Sequence, residues 1–107
     1  MKTLTLSLKK PWFDLIKAGI KKEEYREIKP FWTKRWMRPV MDYADGRISI
    51  PDVPREFDTL VFTLGYPKAD DMSRRMVLKN PKIRIGTGRT EWGAEPGKNY
   101  FVITLDN

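Results

Sequence analysis

Leu4, Leu6 and Leu8 alternate with Thr3, Thr5, Ser7 and Lys9, the period of two that buries one face of a strand and leaves the other in water. The chain therefore opens on a predicted β-strand. Pro11 follows with the fixed φ favoured at the first helical position, and Gly19 tolerates the left-handed conformation that ends a helix. Between them Trp12, Leu15 and Ile16 fall at helical spacing, with Phe13 and Ile20 widening the apolar stripe. This predicts a short amphipathic helix packed against the strands.

From Lys22 to Ile28 the alternation continues, but in charged residues. Lys22, Glu24, Arg26 and Ile28 share one predicted face, and Glu23, Tyr25 and Glu27 the other. In a barrel one of these faces points inward and carries charge into a core or a cleft. A strand that breaks the binary pattern in this way is where a functional site is expected. The competing reading is a solvated edge strand guarded by charge. Pro30 to Arg38 reads as a short helix or turn, and residues 39 to 56, with Asp42, Asp45, Gly46 and Asp52, as a long connection with a brief strand at Arg47 to Ile50. Phe57 to Leu64 is a strand covered on both sides, because Leu60, Val61 and Phe62 are consecutive. Strands at Arg74 to Leu78 and Lys82 to Ile85, a glycine-punctuated loop and a last strand at Asn99 to Leu105 complete the pattern. Five to seven strands with one or two short helices and no βαβ alternation predict a barrel-like α+β fold.

The chain of 107 residues is one domain, 1–107, with room for a single core. It has no cysteine and no histidine, which removes disulfides, thiolate or imidazole zinc sites, and nucleophilic mechanisms that need either residue. No metal and no cofactor is expected. No stretch approaches the roughly 18 apolar residues of a membrane span, and no secretory h-region opens the chain, so a cytoplasmic protein without a membrane partner is expected. The net charge of +7 is localised: residues 1 to 38 carry eleven Lys or Arg against four Asp or Glu, and the remainder is balanced. Such a face attracts polyanions, RNA foremost, or is merely a soluble basic surface.

Lys21 follows the glycine that ends the helix, where its ammonium reaches a cleft to bind an anionic or carbonyl oxygen. In a poorly solvated cleft its pKa falls and the amine becomes a base or nucleophile. Glu24 and Arg26 lie two apart on one strand face, an acceptor beside a planar donor fork that suits the edge of a nucleobase or a phosphate; mutual pairing is the plainer reading. Of the tryptophans, Trp12 reads as core, Trp36 among Lys34, Arg35 and Arg38 as a candidate ligand surface, and Trp92 beside Arg89 and Glu91 as a cap on the cleft.

Leu6-Ser7-Leu8, the helix ending Leu15-Ile16-Lys17-Ala18-Gly19, and then Lys21, Glu24 and Arg26 resemble the signature of the ASCH superfamily, a PUA-like group, in which strand and helix lead into a Gly-x-Lys-Thr-x-Glu-x-Arg run. The chain departs from it at Lys22, where the family has Thr. Gly86, Gly88, Glu91-Trp92-Gly93 and the strand from Tyr100 to Leu105 are similar to the closing half of small members. The resemblance implies a PUA-like half-open β-barrel and an RNA- or modified-nucleoside-binding function with a basic cleft. Its nucleic-acid-binding candidates are Lys22, Arg26, Lys34, Arg35, Trp36, Arg89 and Trp92. Some compact members resemble this chain in length and are amidohydrolases acting on N4-acetylcytidine through a lysine, a threonine and a later glutamate, which makes Lys21, Glu24 and Glu91 the catalytic candidates. Glu24 stands in the threonine's place, so binding ranks ahead of hydrolysis. A protein-interaction role for the aromatic and basic Pro30 to Arg38 segment is the third expectation.

Overall fold

The computed structural model describes residues 2–42 and 47–105. Its elements in chain order are strand β1 (Thr3–Leu8), helix α1 (Lys10–Lys17), strand β2 (Glu23–Glu27), helix α2 (Pro30–Trp36), and strands β3 (Met37–Asp42), β4 (Arg47–Pro54), β5 (Thr59–Leu64), β6 (Arg75–Lys79), β7 (Lys82–Thr87) and β8 (Asn99–Thr104). Single turns of 3₁₀ helix at Met72–Arg74 and Thr90–Trp92 punctuate the second half. The fold is α+β, as the short strands with one or two helices implied, with eight strands among the described residues where five to seven were expected. No helix among the described residues is long and apolar enough to cross a membrane.

Six of the strands form two three-stranded sheets, ordered β1-β5-β6 and β2-β8-β7. In the first, β1 runs parallel to β5 in the register Leu4 to Leu60 and Leu6 to Phe62, and β6 closes the other side antiparallel. In the second, β8 is central and antiparallel to both neighbours. In the stretch expected as a long connection, the brief strand expected at Arg47 to Ile50 is present and extends through Pro54 as β4, which pairs antiparallel with β3, with an irregularity between Arg38 and Val40. The segment read as loop because of Pro39, Pro51 and Pro54 among its acidic residues and Gly46; Pro39 cannot donate to a ladder, and the register shifts across it. Asp45 and Gly46 lie outside the described residues.

The two sheets share one core. Leu4, Leu6 and Leu8 of β1 bury the face that their alternation marked, and meet Leu60 and Phe62 of β5, Phe101 and Ile103 of β8, and Phe13 and Ile16 of α1. The chain leaves α1 through a Schellman arrangement. Gly19 sits at φ +76°, its N–H donates to the Ile16 carbonyl, and the Ile20 N–H reaches back to Leu15. That turn points Ile20 outward, so the residue expected to widen the apolar stripe is exposed instead.

Trp36, expected on a ligand surface, is a core residue with 1% of its area exposed. Its ring stacks on Trp32 at 4.5 Å and meets the edge of Phe101 at 5.4 Å. Of the basic neighbours that suggested a surface, Lys34 and Arg35 lie two and one positions away on the helix and so face another direction, while Arg38 belongs to β3. Trp36→Ala is expected to lower the free energy of unfolding by about 3–5 kcal/mol, whereas Phe31→Ala, an exposed ring on the same helix, stays within about 1 kcal/mol of the parent. Urea unfolding of both variants checks this.

Candidate nucleobase cleft

β1 and β2 are the edge strands of their sheets and are not hydrogen-bonded to each other. The sheets therefore part between them, and the gap opens as a cleft of about 630 Å³. Pairing registers assign the faces of β2. Glu24 opposes Ile103 and Arg26 opposes Phe101, so both point to the side on which β8 contributes to the core. Tyr25 opposes Val102 and belongs to the reverse face, with Tyr100. The charged alternation seen in the sequence thus carries a carboxylate and a guanidinium inward at the rim of the core.

Lys21 is completely shielded from solvent. The turn after α1 accounts for this, since the Lys21 N–H donates to the Leu15 carbonyl and the side chain folds back beneath the edge of β2. Its Nζ donates to the Trp92 carbonyl at 2.9 Å and lies 3.2 Å from Glu24 Oε1. The rings of Trp12 and Tyr25 lie beside the ammonium, at 5.1 and 4.9 Å from their centroids. Burial lowers the pKa of Lys21 from its ordinary value, against the opposing pull of Glu24.

Glu24 uses its other oxygen, Oε2, to accept from Arg26 Nη2 at 3.0 Å. The same Nη2 donates to the Ser7 carbonyl at 2.8 Å and so ties β2 to β1 across the gap. Arg26 is partly exposed and faces the cleft, while Lys21 does not reach the cleft surface. The pairing of Glu24 with Arg26, the plainer expectation, is present, and it is set in a cleft wall rather than in open solvent.

Aromatic rings supply much of the remaining wall: Trp12, Tyr25, Trp92 and Tyr100. Trp12, expected in the core, is half-buried and lines this cleft, because the helix turns it toward Lys21 and Gly93 rather than toward the strands. Tyr25 is fixed at both sides of its hydroxyl, which donates to Glu23 Oε1 at 2.7 Å and accepts the Arg89 N–H at 2.9 Å. Burial pushes its pKa up to about 12, so it is a neutral donor at physiological pH. Gly88 is required beneath it: a Cβ there would lie 2.5 Å from the tyrosine ring. The Tyr100 hydroxyl accepts the Glu95 N–H at 3.0 Å and so ties the glycine-rich loop to β8.

The other expected site residues lie elsewhere. Lys22 precedes β2 and is exposed, so it does not share the face of Glu24; its carbonyl accepts the Leu105 N–H at 3.0 Å. Lys34 and Arg35 are exposed on α2, and Arg35 is engaged with the Phe31 carbonyl at 2.8 Å and the Phe31 ring. Arg89 covers Trp92 at 5.0 Å and pairs with Glu91 at 3.3 Å. Glu91 is exposed and is not part of the cleft lining, with its carboxyl held below the usual range first by its own backbone N–H and then by Arg89. The late glutamate that does line the cleft is Glu95. The lining carries Lys9 and Arg26 against Glu24, Glu27 and Glu95, so the cleft is not itself basic. Tyr25, Tyr100 and Ser7 were missed in the sequence because a tyrosine in a strand and a serine between leucines carry no signal of their own. Among the described residues no acidic cluster is arranged to hold a metal ion. Compared with protein-family models, curated proteins and solved structures, the chain matches none of them.

Removing one member of the ion cluster tests its internal order. Glu24→Ala leaves Lys21 buried without an anion and is expected to destabilise by about 3–5 kcal/mol. Lys21→Met is expected to cost less than Glu24→Ala, because Arg26 still balances the carboxylate. The double variant Lys21→Met/Glu24→Leu is expected to recover much of the loss. Denaturant midpoints rank the three.

Proposed function

We propose that this chain is a small ASCH-type, PUA-like domain whose cleft binds a nucleobase, free as a nucleoside or displayed on RNA. One observation carries the reading: Glu24 and Arg26 stand side by side in the wall of a cleft otherwise built from the faces and edges of Trp12, Tyr25, Trp92 and Tyr100. Rings stack on a planar base for about 1–3 kcal/mol each, and a carboxylate beside a guanidinium reads an edge that offers both a donor and an acceptor. The near balance of charge in the lining favours a neutral base over a phosphate as the buried part of the ligand. The exposed cations Lys9, Lys22, Lys34, Arg35 and Arg89 serve a backbone that stays outside. The fold reading accompanies this one, the two sheets being the halves of a half-open barrel whose opening is the cleft.

Hydrolysis of an acylated base ranks second. Lys21 is desolvated as a base or nucleophile requires, but its Nζ is held by Glu24 and the Trp92 carbonyl below the cleft surface, and Glu91 lies outside it.

Titration of nucleosides and of single-stranded and structured RNA at two salt concentrations tests the proposal. Single-stranded RNA is expected to bind and to weaken as salt rises, and Trp12→Ala is expected to lower affinity at least about fivefold. Absence of binding, or binding indifferent to Trp12, would overturn it. Incubation with N4-acetylcytidine is expected to release no cytidine. Release that Lys21→Ala abolishes would move the reading to a hydrolase.

A further inference from the structure

A second groove, of about 580 Å³, opens beside the cleft and shares Ser7, Arg26 and Gly65 with it. Its charged lining differs in kind. Arg26 and Arg75 are the only ionisable side chains with formal charge in it, and no carboxylate faces them there. Arg75 places Nη2 at 3.4 Å from the Pro67 carbonyl and 3.3 Å from that of Lys68, contacts at the long end of the range. Among the described residues, the buried side-chain polar atoms left without a hydrogen-bond partner are Arg26 Nε and Arg75 Nε. Glu24 holds Arg26 from the cleft side, while Arg75 meets only backbone carbonyls. Two guanidinium groups bordering one groove whose lining has no carboxylate, each with an Nε that no acceptor meets, make a site for an anion with several acceptor oxygens.

The rest of the groove is aromatic. Trp32 lies 5.8 Å from the Arg26 guanidinium, Phe31 is more than half exposed, and Tyr66 is 96% exposed with no role in the core. A basic floor with interleaved exposed rings is how single-stranded nucleic acid is held, the phosphates on the cations and the bases on the ring faces.

We propose that this groove is the subsite for the nucleotide adjacent to the base in the cleft. The ligand is then a single-stranded oligonucleotide, with its phosphodiester on Arg26 and Arg75 and its second base against Tyr66 and Trp32. This rests on the reading of the cleft as a base site, and it makes Arg26 the ridge between two consecutive bases. It also gives the localised positive charge of the first third a partner in Arg75, from the otherwise balanced remainder of the chain.

Calorimetric titration of nucleosides and of the corresponding ribo- and deoxyribodinucleotides, at low and high salt, tests the subsite on the parent, Arg75→Ala, Tyr66→Ala and Trp12→Ala. A dinucleotide of either sugar is expected to bind the parent at least about tenfold more tightly than its nucleoside. Arg75→Ala is expected to remove most of that ratio and to flatten the salt dependence of log K by about 0.7. Tyr66→Ala, a change at a fully exposed position that leaves the fold intact, is expected to reduce the ratio at least about fivefold. Equal affinities of nucleoside and dinucleotide for the parent would overturn the subsite and leave the cleft standing. A dinucleotide held equally well by Trp12→Ala would overturn the cleft reading instead, and the adjacent subsite with it.

Discussion

Glu24 lies almost out of water on an edge strand, between the Lys21 ammonium and the Arg26 guanidinium, and the geometry of the opening depends on that contact. Removing three charges from bulk solvent is unfavourable unless each is paired and hydrogen-bonded, and here each is: Lys21 also reaches the Trp92 carbonyl, and Arg26 the Ser7 carbonyl. Those two carbonyls belong to the glycine-rich loop and to β1. A single carboxylate therefore ties together the turn after α1, the edge of the first sheet, the edge of the second sheet and the loop that covers them. An apolar substitute would fill the same space, but it would not hold β1 and β2 at a fixed separation without a ladder between them.

Division of labour follows from exposure. Lys21 is sealed in and acts as a structural counter-ion, whereas Arg26 retains solvent contact and borders both openings. The two openings differ in charge, one balanced and one purely cationic, and a polymer that alternates flat neutral bases with charged phosphates matches that difference. Tyr25 fits the same scheme. Its hydroxyl is locked between Glu23 and the Arg89 backbone, so the ring presents a rigid face with little rotamer freedom to lose on binding.

Much of the scaffold was legible in the sequence, because β1, α1, β5 and β8 are governed by periodicity and by Pro and Gly at helix ends. That one charged face of this strand could turn inward was legible as well, but only the register with β8 shows that it is the face of Glu24 and Arg26. What escaped depended on direction in three dimensions. Lys22 was assigned to the face of Glu24 because the strand was taken to begin one residue early, and Trp36 was assigned to the surface because of neighbours that a helix turns away from it. Strand β3 hid behind Pro39. Trp12 lay on an apolar stripe whose margin, rather than its centre, meets the cleft. Arg75 and Tyr66, remote in sequence from every motif, come to Arg26 only through the pairing of β6 with β5 and the loop between them.

The four tryptophans report on this arrangement from distinct places: Trp12 and Trp92 in the cleft, Trp32 in the adjoining groove and Trp36 in the core. Their indole N–H resonances in a single ¹⁵N-correlated NMR titration with a nucleoside test the central claim most directly. Large shifts are expected for Trp12 and Trp92, with Trp36 unmoved. Shifts confined to Trp32 or Trp36, or saturation of the titration with Trp12 and Trp92 still, would contradict a base in the cleft.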